Sequence, residues 1–547
     1  MPSLTVYHMR FDSDGDGPDR FDDLVDPDSL PSCQKYDLTS RTLTARLYVP
    51  TVFPRMPLWS SFVAQGFPDA TIGMGVMTQA LLIASIRRHR RERVFAIPFG
   101  HARHLVRAEL IEPTFGRRVA LNMLYEPPGS GPADHSRIRQ VDVRTVEANV
   151  RRARVQRSRD TTFETFGVDP ERDLLDRIVG VPGDERFGTR VSGGESIRLD
   201  VSIDFDELAD LLRRLLAQHG KTIYREHFAW VDRVRPVMDT ELLGRLRDQT
   251  DELVRAGSDA LDLAPPEVVD WDRIDRFVFD FGERSEHSDL RLSDYLAAVA
   301  ASRVRHVDHN RMVTQRVSAR DGDGTLVGRW SVFRCLFGEL RLDGAHFILD
   351  NGRYWAVAAS YLEDLNAAIA AIPAPDIVLP SSTATTLEDT YNKDVVAVGD
   401  DRLLLDKKDV RPAARTTSIE ICDVMTSAGE LIHAKRKFGS SELSHLFSQG
   451  YVSAETMHAG PDLRAVISAK IDEQAKAQGR DPRAFNQYLS EPFRPDALTV
   501  VYAVLADWQG QQAKDRLPFF SKINLRHHHQ QLRRMGFNVA FAAVEAP

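Results

Sequence analysis

Asp423, His433 and Lys435 lie in the stretch SIEICDVMTSAGELIHAKRKFGSSELSHLFSQG, residues 418–450. Their types suit phosphodiester chemistry. A carboxylate is a hard oxygen ligand for Mg2+, and an imidazole suits a softer ion such as Mn2+ or serves as a general base. An ammonium stabilises charge on phosphate or helps a water lose its proton. Two apolar runs, 418–425 and 430–437, flank the turn TSAG. Because strand side chains alternate faces, Ile419, Ile421 and Asp423 share one face, as do Leu431, His433 and Lys435. A hairpin would bring Asp423, His433 and Lys435 together near one sheet end. Burying a carboxylate and an ammonium is costly unless they are paired or bind something. A metal ion and a phosphate would satisfy both, and so would an ion pair across the hairpin. A helix expected over 440–450, capped by Ser440 and stopped by Gly450, offers the backbone N–H groups of Ser440 and Ser441 to a phosphate.

The elements around this hairpin read as an α/β domain. A helix over 387–399 precedes strands over 402–410, 418–425 and 430–437. After the 440–450 helix come a strand over 498–506, a helix over 522–537 and a last strand over 538–544. That order predicts helices packed on a mixed sheet. Upstream, 205–220 has apolar residues at helical spacing, and 330–372 reads as strand, hairpin, strand and helix. Residues 373–386, rich in Pro, Ser and Thr, read as a linker. The expected organisation is an N-terminal α+β domain (1–130) and a middle α/β region for partner or substrate recognition (131–372). The linker and the C-terminal α/β domain (387–547) follow. The whole chain is then a multidomain α+β protein.

The C-terminal order resembles the core of the PD-(D/E)XK nucleases: helix, strand, strand with Asp, strand with carboxylate-X-Lys, helix, strand. Asp423 and Lys435 match the Asp and the Lys. Glu388 matches a Glu that some members carry on the preceding helix, and Gln449 a Gln on the following one. The sequence departs from the pattern at His433, which stands in place of the second carboxylate. Glu420, Asp406 or Glu442 are the other candidates for a missing ligand. The resemblance implies a restriction-endonuclease-like core that hydrolyses DNA or RNA with Mg2+ or Mn2+. Asp423, His433 and Glu388 would hold the metal, and Asp423, His433 and Lys435 would do the chemistry. The alternative is a non-catalytic nucleic-acid-binding or protein-interaction module of the same fold.

The chain as a whole resembles a sporadically distributed family of uncharacterised bacterial proteins of similar length. FAIPFGHARHL, VGVPGDERFGTRVSGGES, YREHFAWVDRV, WSVFRCLFGEL and HAKRKFGSSELSHLFSQGYVSAE carry that resemblance, in order along the chain. It implies a bacterial cytoplasmic protein in conflict with phage or other mobile elements, with His433 as part of the family pattern.

Composition bounds these readings. The 547 residues are 42% apolar and 27% charged, enough to bury real cores. The net charge of −8 argues against whole-molecule attraction to nucleic acid and leaves room for a local basic groove. Arg151, Arg152 and Arg154, together with RRHRRER (87–93), are the candidates for that groove. The three cysteines, Cys33, Cys335 and Cys422, are too far apart for a disulfide framework or a CxxC site, which fits a reducing cytoplasm. The N-terminal residues do not read as a signal peptide, and no apolar run is long enough for a membrane span. The expected partners are nucleic acid, with a protein partner or self-association besides.

Four further stretches are weighed. DSDGDGPDRFDD (12–23) imitates a calcium loop but has Asp19 at the apolar eighth place and Asp23 at the twelfth, so an acidic solvated loop is expected. His306 and His309 lack a third ligand. His528 and Arg533 sit on a helix that reads as a solvated basic face or a phosphate-tracking one. RVSGGES (190–196) lacks the Lys-Ser/Thr of a phosphate-binding loop.

Overall fold

The computed structural model describes residues 3–11, 18–51, 63, 65–67, 69, 71, 73, 78–88, 91–124, 137–145, 151–156, 166–169, 173–267, 269, 271–281, 286–302, 306–405, 409–410, 419–436 and 440–547. The chain divides into two compact units, one built mainly from residues up to Val231 and one from Asp232 onward.

The first unit is built on a ten-stranded sheet. Its strands are β1 (Leu4–Met9), β2 (Cys33–Thr39), β3 (Thr44–Pro50), β4 (Ala80–Arg88), β5 (Arg91–Phe99), β6 (Ile138–Thr145), β7 (Arg151–Gln156), β8 (Asp173–Gly180), β9 (Val191–Gly193) and β10 (Ile197–Leu199). They lie in the order β2-β3-β4-β5-β1-β10-β9-β8-β6-β7. The run LLIASI of β4 is continuously apolar because both faces are covered. Leu82, Ala84 and Ile86 join one core cluster, Leu81 and Ile83 another. Helices α1 (Phe115–Leu124) and α2 (Leu208–His219) supply the first of these clusters. α1 lies directly on the β9–β10 hairpin. A Cβ on Gly193 would sit 2.2 Å from the Gly116 carbonyl oxygen. The glycines of RVSGGES therefore serve backbone contact.

The acidic stretch has a structural employer. Residues 18–24 form a 3-10 helix whose Asp19 and Asp22, with Asp37 of β2, accept hydrogen bonds from the buried guanidinium of Arg46 on β3. Residues 12–17 of the calcium-like loop lie outside the described residues.

The second unit begins with two antiparallel sheets. One has the order β11-β19-β18-β17-β12, from strands β11 (Val234–Pro236), β12 (Leu261–Leu263), β17 (Leu336–Leu342), β18 (Ala345–Asp350) and β19 (Arg353–Val357). The other has the order β14-β13-β15-β16, from β13 (Arg276–Phe279), β14 (Glu286–His287), β15 (Arg316–Arg320) and β16 (Leu326–Ser331). Helix α3 (Ala359–Ala370) follows. His306 is exposed, and His309 packs edge-on against Phe333, 4.4 Å between ring centroids.

The C-terminal elements then run α4 (Glu388–Ala397), β20 (Arg402–Leu404), β21 (Asp409–Val410), β22 (Ile419–Glu420), β23 (Val424–Thr426), β24 (Glu430–Arg436), α5 (Ser440–His458), α6 (Pro461–Ala477), β25 (Thr499–Ala506), α7 (Phe519–Arg534) and β26 (Asn538–Glu545). Their main sheet is mixed, in the order β20-β23-β24-β25-β26. β20, β23 and β24 pair antiparallel; β24, β25 and β26 pair parallel. One face buries Leu431, Val500 and Tyr502 against Leu446 and Phe447 of α5, Ile471 of α6 and Leu525 of α7. The other buries Ile432, Val501 and Ala540 against Tyr391 and Val395 of α4.

Three elements of the C-terminal part depart most from expectation. The strand expected over 418–425 is interrupted between β22 and β23, at Ile421, Cys422 and Asp423. The strand expected over 402–410 divides into β20, which ends at Leu404, and β21 (Asp409–Val410), and Asp406 lies outside the described residues. The helix expected to stop at Gly450 runs on to His458. Gly450 is there for clearance, since a Cβ would meet the Tyr502 ring of β25 at 2.6 Å.

Residues 373–386 contain no helix or strand but are not loose. The Pro373 carbonyl accepts from Phe541 N–H, while Ser382 and Ala384 N–H donate to the carbonyls of Glu545 and Pro547. Ile377 and Leu379 pack on the α4 side of the core. Elsewhere in the unit, both carboxylate oxygens of Glu339 on β17 accept from the first-turn amides of α7, Phe519 at 3.1 Å and Phe520 at 2.9 Å. Lys522, buried one turn on, donates to Asn366 Oδ1 of α3 at 2.9 Å.

Gly450→Ala should lower stability by about 1–3 kcal/mol through overpacking against Tyr502, despite a helix-propensity gain of about 1 kcal/mol. Urea unfolding monitored by circular dichroism measures this, and an unchanged or raised midpoint would refute the close-packing account.

Candidate functional site

The site follows from unequal strand lengths. β23 covers β24 at only two positions, Met425 opposite Leu431 and Val424 opposite Ile432. On its other side β24 continues in register with β25 as far as Arg436 opposite Leu505. The far end of β24 thus projects beyond its antiparallel neighbour with backbone amides still to satisfy.

Two carboxylates take those amides. Asp423 N–H donates to the Ile432 carbonyl, 2.9 Å, closing the last ladder position. Its side chain then turns along the strand, and Oδ2 accepts from Ala434 N–H at 2.7 Å. The next amide on that edge, Arg436 N–H, donates to Glu388 Oε1 at 3.0 Å, and Glu388 Oε2 accepts from Lys435 Nζ at 3.0 Å. Donors two residues apart on a strand are separated by about 7 Å, so Asp423 and Glu388 bracket Lys435 along one edge. Glu388 is the first residue of α4, where the helix dipole favours negative charge. The side chains of Glu388 and Lys435 remain 33% and 27% exposed.

His433 occupies a different environment. It is buried beside Tyr502, its neighbour on β25, with ring centroids 6.4 Å apart. Its Nε2 is buried with no hydrogen-bond partner among the described residues. Burial lowers the imidazole from its ordinary 6.5 to about 4, which keeps it neutral at neutral pH. A carboxylate here would be a costly buried charge, whereas a neutral imidazole is tolerated.

The helix residues separate as well. Gln449 Nε2 donates to Glu420 Oε2 at 3.1 Å, tying α5 to β22. Ser440 and Ser441 open α5, but their side chains lie outside the described residues. Arg151 and Arg152 begin β7, and their side chains are likewise outside the description. Arg154 is described, and its guanidinium grips both oxygens of Asp142 on β6, at 3.0 and 3.1 Å. His528 is buried against the Tyr451 ring, and Arg533 donates to Asn538 Oδ1, so both are engaged in packing and local bonding.

A cleft of about 760 Å³ opens beside this strand end, lined by Glu388, Asp389, Arg436, Leu505, Asp507 and Arg516. The Arg436 guanidinium is held there by the carbonyls of Thr383 and Thr386. The cleft was not legible in the sequence, because its wall combines the end of β25 with residues just before α4. Among the described residues, no three or more His, Cys, Asp or Glu side chains converge as a metal ion would require. No helix among them is long and apolar enough to cross a membrane.

Fold and site together define an α+β protein of two units whose C-terminal mixed sheet presents two carboxylates and a lysine at one strand end. The chain belongs to the family of unknown function DUF6119, whose model matches residues 4–545. No curated protein and no solved structure matches the chain.

Asp423→Ala should destabilise the protein by about 1–3 kcal/mol, the cost of leaving the Ala434 amide unsatisfied, while Asp423→Asn, which keeps an acceptor oxygen, should lose less. Equal unfolding midpoints for the two variants would remove the capping role. The folded-state value for His433 lies below the unfolded one, so its contribution is present above about pH 6.5 and is lost as pH falls toward 4, amounting to about 3 kcal/mol. His433→Phe should therefore flatten the stability profile between pH 6.5 and 4 relative to wild type. Parallel profiles in denaturant titrations would show that the imidazole is not buried neutral.

Proposed function

We propose that the C-terminal part of the second unit is a metal-dependent phosphodiesterase acting on DNA or RNA. The observation that carries this reading is the bracketing of Lys435 by Asp423 and Glu388 at the projecting end of β24, beside an open cleft. The order of elements supports it. An antiparallel run β20-β23-β24 followed by parallel β25 and β26, with helices between, resembles the PD-(D/E)XK core. The donor set suits Mg2+ or Mn2+, which bind through one or two carboxylates and substrate phosphate. Asp423 and Glu388 would hold the ion, each oriented by a strand amide. When bound, the ion would polarise the phosphoryl oxygens and help generate the attacking hydroxide. Lys435, now parked on Glu388, would turn to the phosphate and stabilise the charge that develops in the transition state. His433 has no ligand role in this reading, because its imidazole is buried beside Tyr502. On the family resemblance, the setting is defence against phage or other mobile elements.

A second reading is a binding module of the same fold that does not cut. The mutual satisfaction of Lys435 and Glu388, without a three-ligand cluster among the described residues, favours it.

The full chain should cleave labelled DNA or RNA in Mg2+ or Mn2+ and stop with chelator. Lys435→Ala should cut about 100-fold more slowly or worse, with nucleic-acid binding by fluorescence anisotropy changed only a few-fold. Mn2+ should raise the melting temperature of wild type but not of Asp423→Asn. Binding without cleavage and without a metal-dependent melting shift would leave the second reading in its nucleic-acid-binding form; no nucleic-acid binding at all would sink the phosphodiesterase reading and leave only a protein-interaction module.

A further inference from the structure

The ten-stranded sheet of the first unit ends in β2, and among the described residues no strand pairs on its outer side. Such edges are usually blunted by a proline, a bulge, brevity or charged side chains. β2 has only the last of these, and its two charges, Lys35 and Asp37, are of opposite sign. Its seven residues, CQKYDLT, keep one unbroken register with β3, and every residue from Gln34 to Thr39 is exposed. Tyr36 and Leu38, at 55% and 41% exposure, are large apolar side chains in solvent.

The hydrogen-bond phase of this edge is fixed. Thr51 N–H donates to the Ser32 carbonyl and Ser40 N–H to the Leu43 carbonyl. With pairs alternating along an antiparallel ladder, the even-numbered residues of β2 face β3. Lys35, Asp37 and Thr39 therefore turn both N–H and C=O outward, as does the Cys33 carbonyl; Cys33 N–H is already donated to Leu30.

We infer that β2 pairs antiparallel with β2 of a second copy of this chain, about a two-fold axis at Tyr36. Charge selects that register. An axis at Lys35 would put lysine on lysine, and one at Asp37 aspartate on aspartate, both repulsive as directly opposed cross-strand pairs. The axis at Tyr36 sets Lys35 opposite the partner's Asp37 and Asp37 opposite the partner's Lys35. Those pairs each exchange two backbone hydrogen bonds, and Thr39 N–H reaches the partner's Cys33 carbonyl. On the opposite face the two Tyr36 rings meet, with Leu38 beside the partner's Gln34. The Lys35–Asp22 and Asp37–Arg46 bonds within one chain hold these side chains on the correct face. Lys35 keeps further donors and Asp37, with its side chain 46% exposed, further acceptors for the partner.

Sedimentation velocity of the full chain should show a concentration-dependent dimer. Lys35→Pro deletes an outward N–H without touching the bonds to β3 and should raise the dissociation constant at least tenfold. Lys35→Glu, which faces the partner's Asp37, should do the same, and guards against a folding defect in the proline variant. Tyr36→Cys should form an interchain disulfide in mild oxidant, because the two positions would sit directly opposite, whereas Lys35→Cys, offset from its own copy, should not. A wild type that stays monomeric at all concentrations, dimers unaffected by either Lys35 variant, or equal cross-linking of the two cysteine variants would each overturn the inference.

Discussion

The C-terminal site rests on one mismatch: β24 is held by β25 for its full length but by β23 for only part of it. Hydrogen-bond donors left over at a sheet end must be answered, and here the answers are the carboxylates of Asp423 and Glu388. That choice explains much of what surrounds them. A carboxylate beside a strand edge needs a compensating cation, and Lys435 supplies it. Glu388 can reach only if α4 begins at that spot, and the preceding chain is pinned there by Arg436 through Thr383 and Thr386. Backbone geometry thus sets the positions of the charged groups, and the cleft follows from both.

A comparable arrangement holds the helix that leads into β26. Glu339 reaches from β17 to the first amides of α7, and burial raises its carboxyl to about 7. Lys522, buried close by, is lowered to about 8, chiefly by desolvation. The free amides of a helix start compensate a buried acid. The middle sheet and the C-terminal sheet of the second unit therefore share one polar joint, and α7 is fixed by charge at its start and by apolar packing of Leu525 and Leu532 along its length.

Much of this was readable because apolar periodicity survives translation into structure. The run ELIHAKR and the strongly apolar LTVVYAVLA form neighbouring strands. Of the three residues expected to converge, Asp423 and Lys435 lie at the end of β24 while His433 is buried apart, and Glu388, to which only the nuclease resemblance pointed, bonds Lys435 there. What was hidden depended on partners distant in sequence. Gly450 carries the signature of a helix stop, yet the Tyr502 ring, fifty-two residues on, decides its role. Alternation places His433 and Lys435 on one face, but only the third dimension shows the first sealed under α5 and the second at a rim. Arg154 reads as a free cation until Asp142, on the adjacent strand, is seen to hold it. The helix over 461–477 lies outside the elements read from the sequence, although Leu463, Ile467, Ile471 and Ala475 recur at helical spacing and the last three are buried.

The segment 373–386 bears on a hazard common to sheet proteins. β26 is the outer strand of the mixed sheet, and its edge is crossed by chain bonded at Phe541, Glu545 and Pro547. That chain carries Pro373, Pro375 and Pro380, which have no N–H to offer. A cover of this composition occupies the edge without becoming a template for the next strand, so it protects against fibril-like stacking. The residues that look least structured in the sequence act as a gatekeeper against aggregation.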